Sequence, residues 1–267
     1  MESIYWITGK YMLLGLFVSL LVGCACGTAL EFSGGVVELT GAQNEDIVWN
    51  ESNFRGFCYD LGDGVCAGGE TLLITAGTLE GPDVDRTIDE SNLIYTTRPL
   101  WREYELHKNI GLTVDSDYYG GDSGYCVEFW MGEMYIAIER HAHRLVKPLV
   151  EFNSADIKTL ASGEKWDLGG GFELEAKQID LEGKKVWLCL YKDGKEIESE
   201  VVDTENLNLQ DRVYTYTKDL AGEYDVPIFS CYVSAVFRGT CSDLVQIMYV
   251  FLIDDDVTTI DCGDVYG

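Results

Sequence analysis

The sequence has few basic residues, and this shortage limits what the protein can bind. Its 267 residues include 19 lysines and arginines against 46 aspartates and glutamates, a formal net charge of −27. Contact with a phosphate backbone needs clustered lysine and arginine, so a general nucleic-acid binder is excluded and an anionic membrane surface is disfavoured. The charge is typical of a highly solvated exterior that attracts metal cations.

Long hydrophobic runs and helical periodicity are also scarce. Beyond the N-terminal segment, no stretch is apolar over the length of a membrane-spanning helix. Proline occurs four times, while 29 glycines separate short strand-like runs. Turns at short spacing without extended 3.6-residue periodicity indicate an all-β protein, and the length suffices for two β-sandwiches.

Residues 1–29 are predicted to be a signal peptide. A polar start with Lys10 precedes an apolar run over residues 11–23 and then small residues, the pattern of an exported chain. We expect cleavage near Ala29. Two alternatives stay open: residues 21–24 fit a lipobox that would lipidate Cys24, and the segment could remain uncleaved as an N-terminal anchor.

The clearest strand pattern lies in residues 172–202. Apolar and charged side chains alternate over Phe172–Lys177, which predicts a strand with one buried face and one wet face. The run Val186–Tyr191 is apolar on both faces and predicts a central strand. Asp193 and Gly194 then favour a type I′ turn, so the strands on either side should form an antiparallel hairpin.

Further strand-like runs form two sets on either side of Pro148. The first set is Gly35–Leu39, Gly56–Tyr59, Thr71–Thr75, Leu93–Thr97, Ile110–Val114 and Tyr125–Ile138. The second set adds Val213–Tyr216, Val226–Val236 and Leu244–Ile253 to the strands of residues 172–202. We therefore expect two linked β-sandwiches, over residues 30–150 and 151–267.

Several phrases in order along the chain resemble one family. They are Trp49–Asp60, Glu70–Leu72, Leu93–Thr97, Lys177–Asp180, Lys185–Trp187, Tyr191–Gly194, Tyr224–Pro227, Val236–Thr240 and Gly263–Gly267. Together they are similar to the duplication domain of archaeal S-layer proteins from methanogens, over roughly Phe32–Gly267. The resemblance implies paired β-sandwiches that tile the cell surface.

The chain differs from that family in two respects. Its typical members carry two copies of the domain, a polar spacer and a C-terminal membrane anchor, whereas this sequence carries one copy. The family also mostly lacks cysteine. We expect this chain to associate laterally with copies of itself or with a larger S-layer protein.

Nine cysteines are present, and seven of them follow the predicted leader. In an exported chain this number predicts disulfides with one thiol left over. Cys58 with Cys66, and Cys231 with Cys241, flank short turns and are the candidate pairs. Cys189, in the predicted central strand, fits a buried reduced thiol.

One N-glycosylation acceptor is present, at Asn50 in the sequence Asn-Glu-Ser. On an exported chain it predicts a glycan on an exposed loop.

No residue is assigned to catalysis, and we expect a protein that is not an enzyme. Ser123 lies in a phrase that resembles the nucleophile motif of trypsin-like proteases, but the mechanism needs a preceding histidine base. Only His107 precedes Ser123, and it lies close upstream. His141 and His143 would share one face of a strand, which is half a zinc site without a visible third ligand.

Acidic loops offer oxygen ligands for hard cations. Asp115, Asp117 and Asp122 form one group and Asp254–Asp256 another, but neither fits the EF-hand pattern. We expect no cofactor and no specific metal site. Calcium or magnesium is expected to bind non-specifically at the loops 80–90 and 254–256, between neighbouring acidic subunits.

The sequence thus predicts an exported structural protein of an archaeal surface layer. The alternative is a secreted β-sandwich that recognises carbohydrate or a surface protein through exposed aromatics such as Trp101, Trp130 and Trp166. That alternative requires the three rings to lie on one solvent-facing platform. A hydrolase using Ser123 or the histidine pair would need a pocket joining them to a third group.

Overall fold

A computed structural model describes residues 45–61, 66–77, 91–114 and 123–262. In these residues the regular structure is nineteen strands, one helix of six residues and three 3-10 turns, so the all-β prediction is confirmed. The helix, α1, covers Glu105–Ile110, and the turns cover Arg55–Phe57, Ile138–Arg140 and Leu209–Arg212. No helix in this part of the chain is long and apolar enough to cross a membrane.

Some predictions lie outside the described residues. They are the leader with Cys24, the strand Gly35–Leu39, the acidic loop 80–90, and Asp115, Asp117 and Asp122.

The strands up to residue 146 belong to three sheets. They are β1 (Ile47–Trp49), β2 (Tyr59–Asp60), β3 (Cys66–Ala67), β4 (Glu70–Ile74), β5 (Leu93–Thr97), β6 (Leu100–Glu103), β7 (Gly124–Trp130), β8 (Glu133–Ala137) and β9 (Arg144–Val146). Strands β1, β4 and β5 form a three-stranded sheet, and β2 pairs with β3. The order of the third sheet is β19-β9-β8-β7-β6, where β19 is Thr258–Thr259.

The remaining strands form two larger sheets. They are β10 (Pro148–Glu151), β11 (Lys158–Ala161), β12 (Lys165–Gly169), β13 (Phe172–Asp180), β14 (Lys185–Lys192), β15 (Lys195–Asp203), β16 (Val213–Leu220), β17 (Glu223–Arg238) and β18 (Asp243–Ile253). One sheet has the order β12-β13-β14-β15. The other has the order β10-β18-β17-β16, and β11 also pairs with β18.

The predicted hairpin is present between β14 and β15. Lys192 pairs with Lys195, and the two residues between them, Asp193 and Gly194, have φ angles of 51° and 77°. Positive φ at both central positions is the type I′ geometry that the Asp-Gly sequence favours.

Strand β14 is central, as predicted, but its two faces are covered in different ways. Its inward side chains, such as Leu188, are fully buried in the core. On the other face, the ammonium groups of Lys177 and Lys165 lie 4.2 and 3.7 Å from the ring centroids of Trp187 and Tyr191. Long lysine stems and aromatic rings therefore close a face that meets water.

The hydrophobic core continues across residue 150. Phe251 of β18 packs against Tyr104 and Tyr125 of the first half, with ring centroids 4.8 and 5.1 Å apart. Strand β19, late in the chain, pairs with β9 in the sheet of the first half. The division into domains at residue 150 stays a prediction.

Two strand predictions in the first half are wrong. Ile110 ends helix α1, and Gly111 terminates it in the left-handed conformation with φ 71°, so Ile110–Val114 is not a strand. In Gly56–Tyr59, the first two residues belong to a 3-10 turn and only Tyr59 is in a strand, β2. Both runs are short and apolar, a pattern that fits a helix end or a turn as well as a strand.

The run Tyr125–Ile138 is a hairpin rather than one strand. Strands β7 and β8 are separated by Met131 and Gly132, whose φ angles are 52° and 83°. Met-Gly is not a typical turn sequence, and the pairing of two apolar strands overrides the weak local signal.

The hairpin turn gives a first prediction. Replacing Gly194 with Val should destabilise the protein by about 1 kcal/mol or more, because a β-branched residue resists positive φ. A Cβ atom at Gly194 would meet no heavy atom within 4 Å, so the loss comes from the backbone alone. Urea unfolding measures it, and Gly194→Asn is the control, since Asn tolerates this conformation. Equal unfolding midpoints for the Val variant and the wild type would contradict the turn assignment.

Candidate functional site

Two fully buried glutamates lie where the sheet of β1, β4 and β5 meets the sheet of β6–β9. Glu70 belongs to β4 and Glu128 to β7, and both have 0% exposure. In the described part of the chain, neither carboxyl group has a lysine, arginine or histidine within ion-pair distance. Two buried acids without a counter-cation are costly unless hydrogen bonds or protonation compensate.

Glu70 has hydrogen-bond donors on both oxygens. Its Oε1 accepts from the Tyr95 hydroxyl and from the amide of Gly132, the latter at 3.1 Å, and its Oε2 accepts from the Tyr59 hydroxyl. Burial raises the pKa of both tyrosines, and the hydrogen bonds to Glu70 raise it further, so both hydroxyls remain donors. Glu70 is thus satisfied as an ionised carboxylate.

Glu128 has the opposite environment. Its Oε1 contacts the hydroxyl of Thr97, and its Oε2 is buried without a hydrogen-bond partner. Thr97 Oγ1 also lies 2.6 Å from the carbonyl oxygen of Phe129, which can only accept. A hydroxyl has one proton, so Thr97 can donate to only one of these two acceptors at a time, and Glu128 Oε2 has no donor.

Burial with one unpartnered oxygen therefore favours the neutral form of Glu128. Burial raises the pKa of the Glu128 carboxyl group; the contact with Thr97 lowers it, and the charge of Glu70 raises it. A neutral acid next to an ionised one is the usual outcome when two buried carboxyl groups share a region of low polarity.

Aromatic rings surround this network and join the sheets. The ring of Tyr59 stacks on Phe129 with centroids 3.8 Å apart, and Tyr95 meets Trp130 edge-on at 5.2 Å. Sequence reasoning missed the network. The available signal was a single acid, Glu128, inside the otherwise apolar run of β7.

A second feature is an open cavity of about 210 Å³ at the other end of β7. Apolar side chains, including Ile138, Pro227 and Phe251, form its walls. At its mouth the guanidinium of Arg140 lies 5.0 Å from the ring centroid of Trp101. Glu139 and Arg140, also at the mouth, have φ angles of 50° and 63°, a strained conformation that often marks functional positions.

The predicted catalytic alternatives are not brought together. Among the described residues, no histidine is hydrogen-bonded to Ser123, and His107 contacts Glu103 instead. The segment around His143 is a turn rather than a surface strand. In the same residues no group of three histidine, cysteine or acidic side chains is placed to hold a metal ion.

His141 is instead part of a small ion-pair cluster. Its Nε2 lies 3.5 Å from Glu223 Oε1, an oxygen that Arg144 also contacts, and its ring lies 5.5 Å from that of His143.

The acidic run Asp254–Asp256 is already paired with lysine side chains of the same chain. Lys192 Nζ and Lys218 Nζ each lie 2.7 Å from an oxygen of Asp255. Partial burial opposes the charged form of Asp255, but the two lysine hydrogen bonds outweigh it and lower the pKa of this carboxyl group. The loop is therefore a structural clasp between strands, which leaves mainly the exposed Asp256 for cations in solution.

The cysteines differ from the predicted framework. Cys58 and Cys66 form a disulfide with Cα atoms 5.1 Å apart, whereas Cys231 is buried and Cys241 is exposed, both as free thiols. Seven strand residues separate Cys231 from the end of β17, roughly 23 Å, while a disulfide needs Cα atoms within about 7 Å. Pairing these two was wrong, because the strand continues well beyond Cys231 before it turns.

The other cysteines in the described residues are also free. Cys126 and Cys189 are buried, and Cys262 is exposed. The expectation of one thiol left over is therefore wrong for this part of the chain, whereas Cys189 is buried and reduced as predicted.

The three tryptophans do not form one platform. Trp101 on β6 is 49% exposed. Trp130 on β7 is half-buried against Tyr95. Trp166 is half-buried against Phe152 and lies on β12, in a different sheet from the other two tryptophans. The arrangement required by the carbohydrate-binding alternative is absent from these residues.

Asn50 lies at the start of a turn after β1 and is partly exposed. Its Oδ1 accepts from the amide of Ser52 at 2.9 Å and from the Ser52 hydroxyl at 2.5 Å. The acceptor sequence is thus on the surface, and glycosylation of Asn50 stays a prediction.

Comparison with known proteins identifies related sequences. The S-layer protein family matches residues 39–267. The chain is similar to the major S-layer proteins of Methanosarcina barkeri (34% identity over 245 residues, 90% of this chain) and Methanosarcina acetivorans (33% over 227 residues, 83% of this chain). These alignments cover 33% and 31% of the respective relatives, so the chain spans about a third of the length of the curated relatives it matches.

The raised pKa of Glu128 gives a second prediction. A carboxyl group whose pKa is raised by folding stabilises the fold at low pH, and this contribution is lost as pH rises from the unfolded pKa of about 4.3 through the folded pKa. Glu128→Gln keeps a donor towards Thr97 but cannot ionise. We expect the stability of the wild type relative to this variant to fall between pH 5 and pH 9.

Chemical denaturation at several pH values measures this difference. Glu182→Gln is the matched control, since Glu182 is exposed and should show no such trend. A constant difference between the wild type and Glu128→Gln from pH 5 to 9 would show that Glu128 is ionised throughout.

The clasp at Asp255 gives a third prediction. Asp255→Asn should destabilise the protein by about 1–2 kcal/mol at neutral pH, because two charge-assisted hydrogen bonds are weakened. Since folding lowers the pKa of Asp255, the difference should shrink as acid protonates the wild type. Thermal unfolding at pH 7 and pH 3 measures this, with the exposed Asp256→Asn as control. Equal effects of the two substitutions would contradict the clasp.

Proposed function

The chain belongs to the S-layer protein family, and from that premise we propose that it is a structural, non-catalytic component of an archaeal cell-surface layer. The match over residues 39–267 carries this proposal, because it covers every sheet of the described structure. The relatives named major S-layer protein support it. The role implies export to the cell surface, in agreement with the predicted leader.

The described surface is consistent with a packing role rather than with chemistry. Most of its lysines are engaged by carboxylates of the same chain, for example Lys165 with Glu173 and Lys177 with Glu196, each at 3.2 Å. The first pair joins the neighbouring strands β12 and β13, and the second crosses over β14 to join β13 with β15, both on the exposed face of one sheet. Rigid sheets with engaged side chains suit a tile better than an enzyme that must close around a substrate.

We propose that the chain associates laterally with copies of itself or with a larger S-layer protein. Its charge of −27 opposes such contacts, because like charges approach within a Debye length of about 10 Å at 0.1 M salt. Most of the described lysines already pair with carboxylates of the same chain, so few of them can pair with carboxylates of a neighbouring copy. Divalent cations between neighbouring carboxylates would offset it, since hard cations prefer oxygen ligands and accept irregular sites.

The direct experiment is to locate the tagged protein in purified cell envelopes by immuno-electron microscopy. We expect regularly spaced labelling over the cell surface. Label confined to the cytoplasm, or to the medium alone, would overturn the structural role.

Cation-dependent association is the fourth prediction. Sedimentation velocity at fixed ionic strength should show assemblies with millimolar calcium or magnesium, and monomers after EDTA is added. Circular dichroism should be unchanged by EDTA, because the apolar core needs no ion. Potassium at equal ionic strength is the control that separates bridging from screening. Monomers under all conditions, including high protein concentration, would contradict self-association.

A further inference from the structure

Leu207 is exposed to a degree that is unusual for a leucine. It lies in the loop between β15 and the 3-10 turn Leu209–Arg212, and 98% of it is accessible to solvent. Leu209, in the same segment, is 43% exposed. Single exposed apolar residues are common, so exposure alone indicates nothing.

The loop is held rigidly by hydrogen bonds on both sides of Leu207. The side-chain amides of Asn206 and Asn208 donate to the two carboxylate oxygens of Asp211 at 2.5 and 2.8 Å. The backbone amide of Asn208 donates to Asn206 Oδ1 at 3.0 Å, and Arg212 donates to the Asn206 carbonyl oxygen at 3.0 Å. A loop whose backbone is already held in place loses little backbone entropy when a partner binds it.

The cavity at Trp101 and Arg140 is complementary to this loop. Its apolar walls and volume of about 210 Å³ accommodate a side chain of leucine size. The charges near the two features are opposite in sign, since Arg140 is exposed at the mouth of the cavity and Glu205 is exposed beside Leu207. Burial, and next the charge of Glu223, raise the pKa of Glu139, which makes the rim less negative.

A molecule cannot fill its own cavity in this way. Val213, which follows the loop, pairs with Tyr232, whereas the cavity wall at Pro227 pairs with Thr217. Five residues along β17 correspond to roughly 17 Å, so the loop and the cavity lie at separate places on the sheet. Two different surfaces that fit each other produce a head-to-tail contact, which repeats from copy to copy.

We propose that Leu207 of one copy inserts into the cavity lined by Trp101 and Ile138 of a second copy, with Glu205 pairing with Arg140 at the rim. The contact rests on the proposed lateral self-association and identifies the surfaces that form it. The contact itself contains no ion, and divalent cations offset the repulsion between carboxylates elsewhere on the two copies.

The fifth prediction is that Leu207→Ala raises the dissociation constant for self-association about tenfold or more, as expected for the loss of a buried leucine anchor. Ile157→Ala is the matched control, because Ile157 is 52% exposed and lies outside both surfaces. Sedimentation velocity in calcium measures both variants, and circular dichroism shows that each is folded. An unchanged dissociation constant for Leu207→Ala overturns the inference and leaves the proposed function standing.

A charge exchange tests the pairing itself. Arg140→Glu and Glu205→Arg should each abolish association alone, because each variant places like charges at its own contact. An equimolar mixture should associate, since the variant loop of one meets the variant rim of the other. If the mixture stays monomeric while the wild type assembles, the Glu205 and Arg140 pairing is wrong.

Photo-crosslinking identifies the neighbour directly. A benzophenone amino acid at position 207 should crosslink a second copy at peptides containing residues 138–140 or 226–227. Crosslinks to other peptides of the chain, or to no copy in an assembled sample, would assign the cavity to another occupant. Wild-type protein that never assembles, with calcium or without it, would instead contradict the proposed self-association and this contact with it.

Discussion

The burial of strand faces in one continuous core is the interaction on which the rest of the structure depends. Strand β17 has sixteen residues, and its stretch Val226–Val233 is buried throughout. It pairs with β16 and β18, and β18 reaches the aromatic residues Tyr104 and Tyr125 of the first half. Because the hydrophobic effect scales with apolar area, the burial of this strand stabilises the core and links the strands on either side of it.

Electrostatics is arranged around that core in two different ways. Inside, burial raises the pKa of Glu128, and Glu70 has hydrogen-bond donors on both of its oxygens. Nearer the surface, lysines pair with carboxylates of other segments, as Lys192 of β14 does with Asp255 in the loop after β18. Carboxyl groups that are buried or paired with lysines in this way contribute to the folded structure and are not available to bind a neighbouring copy.

The remaining surface carboxylates repel those of a second copy and so limit which surfaces can form a contact. A contact between two molecules of this charge is favourable only where apolar area is buried or where opposite charges face each other. Leu207 and the cavity near Arg140 meet both conditions, whereas the ion-paired outer face of β12–β15 meets neither. Lateral assembly of such a protein should thus depend on few contacts and be sensitive to ionic conditions.

The sequence by itself determined the features that depend on adjacent residues. Alternation over Phe172–Lys177 and the Asp193-Gly194 pair predicted β13 and its neighbouring hairpin, and the apolar run Leu93–Thr97 predicted β5 with its observed bounds. Side-chain periodicity and turn geometry are local properties, so they can be read from a few consecutive residues. The ordered family phrases likewise identified the family before any coordinates.

Only the tertiary structure decided the features that join distant residues. The pKa of Glu128 depends on its burial and on Thr97 and Glu70, which are distant from it in the sequence. The engagement of Asp255 depends on Lys192, and the separation of Cys231 from Cys241 depends on where β17 ends. Burial and hydrogen bonding set these outcomes, and both arise only when separate strands pack together.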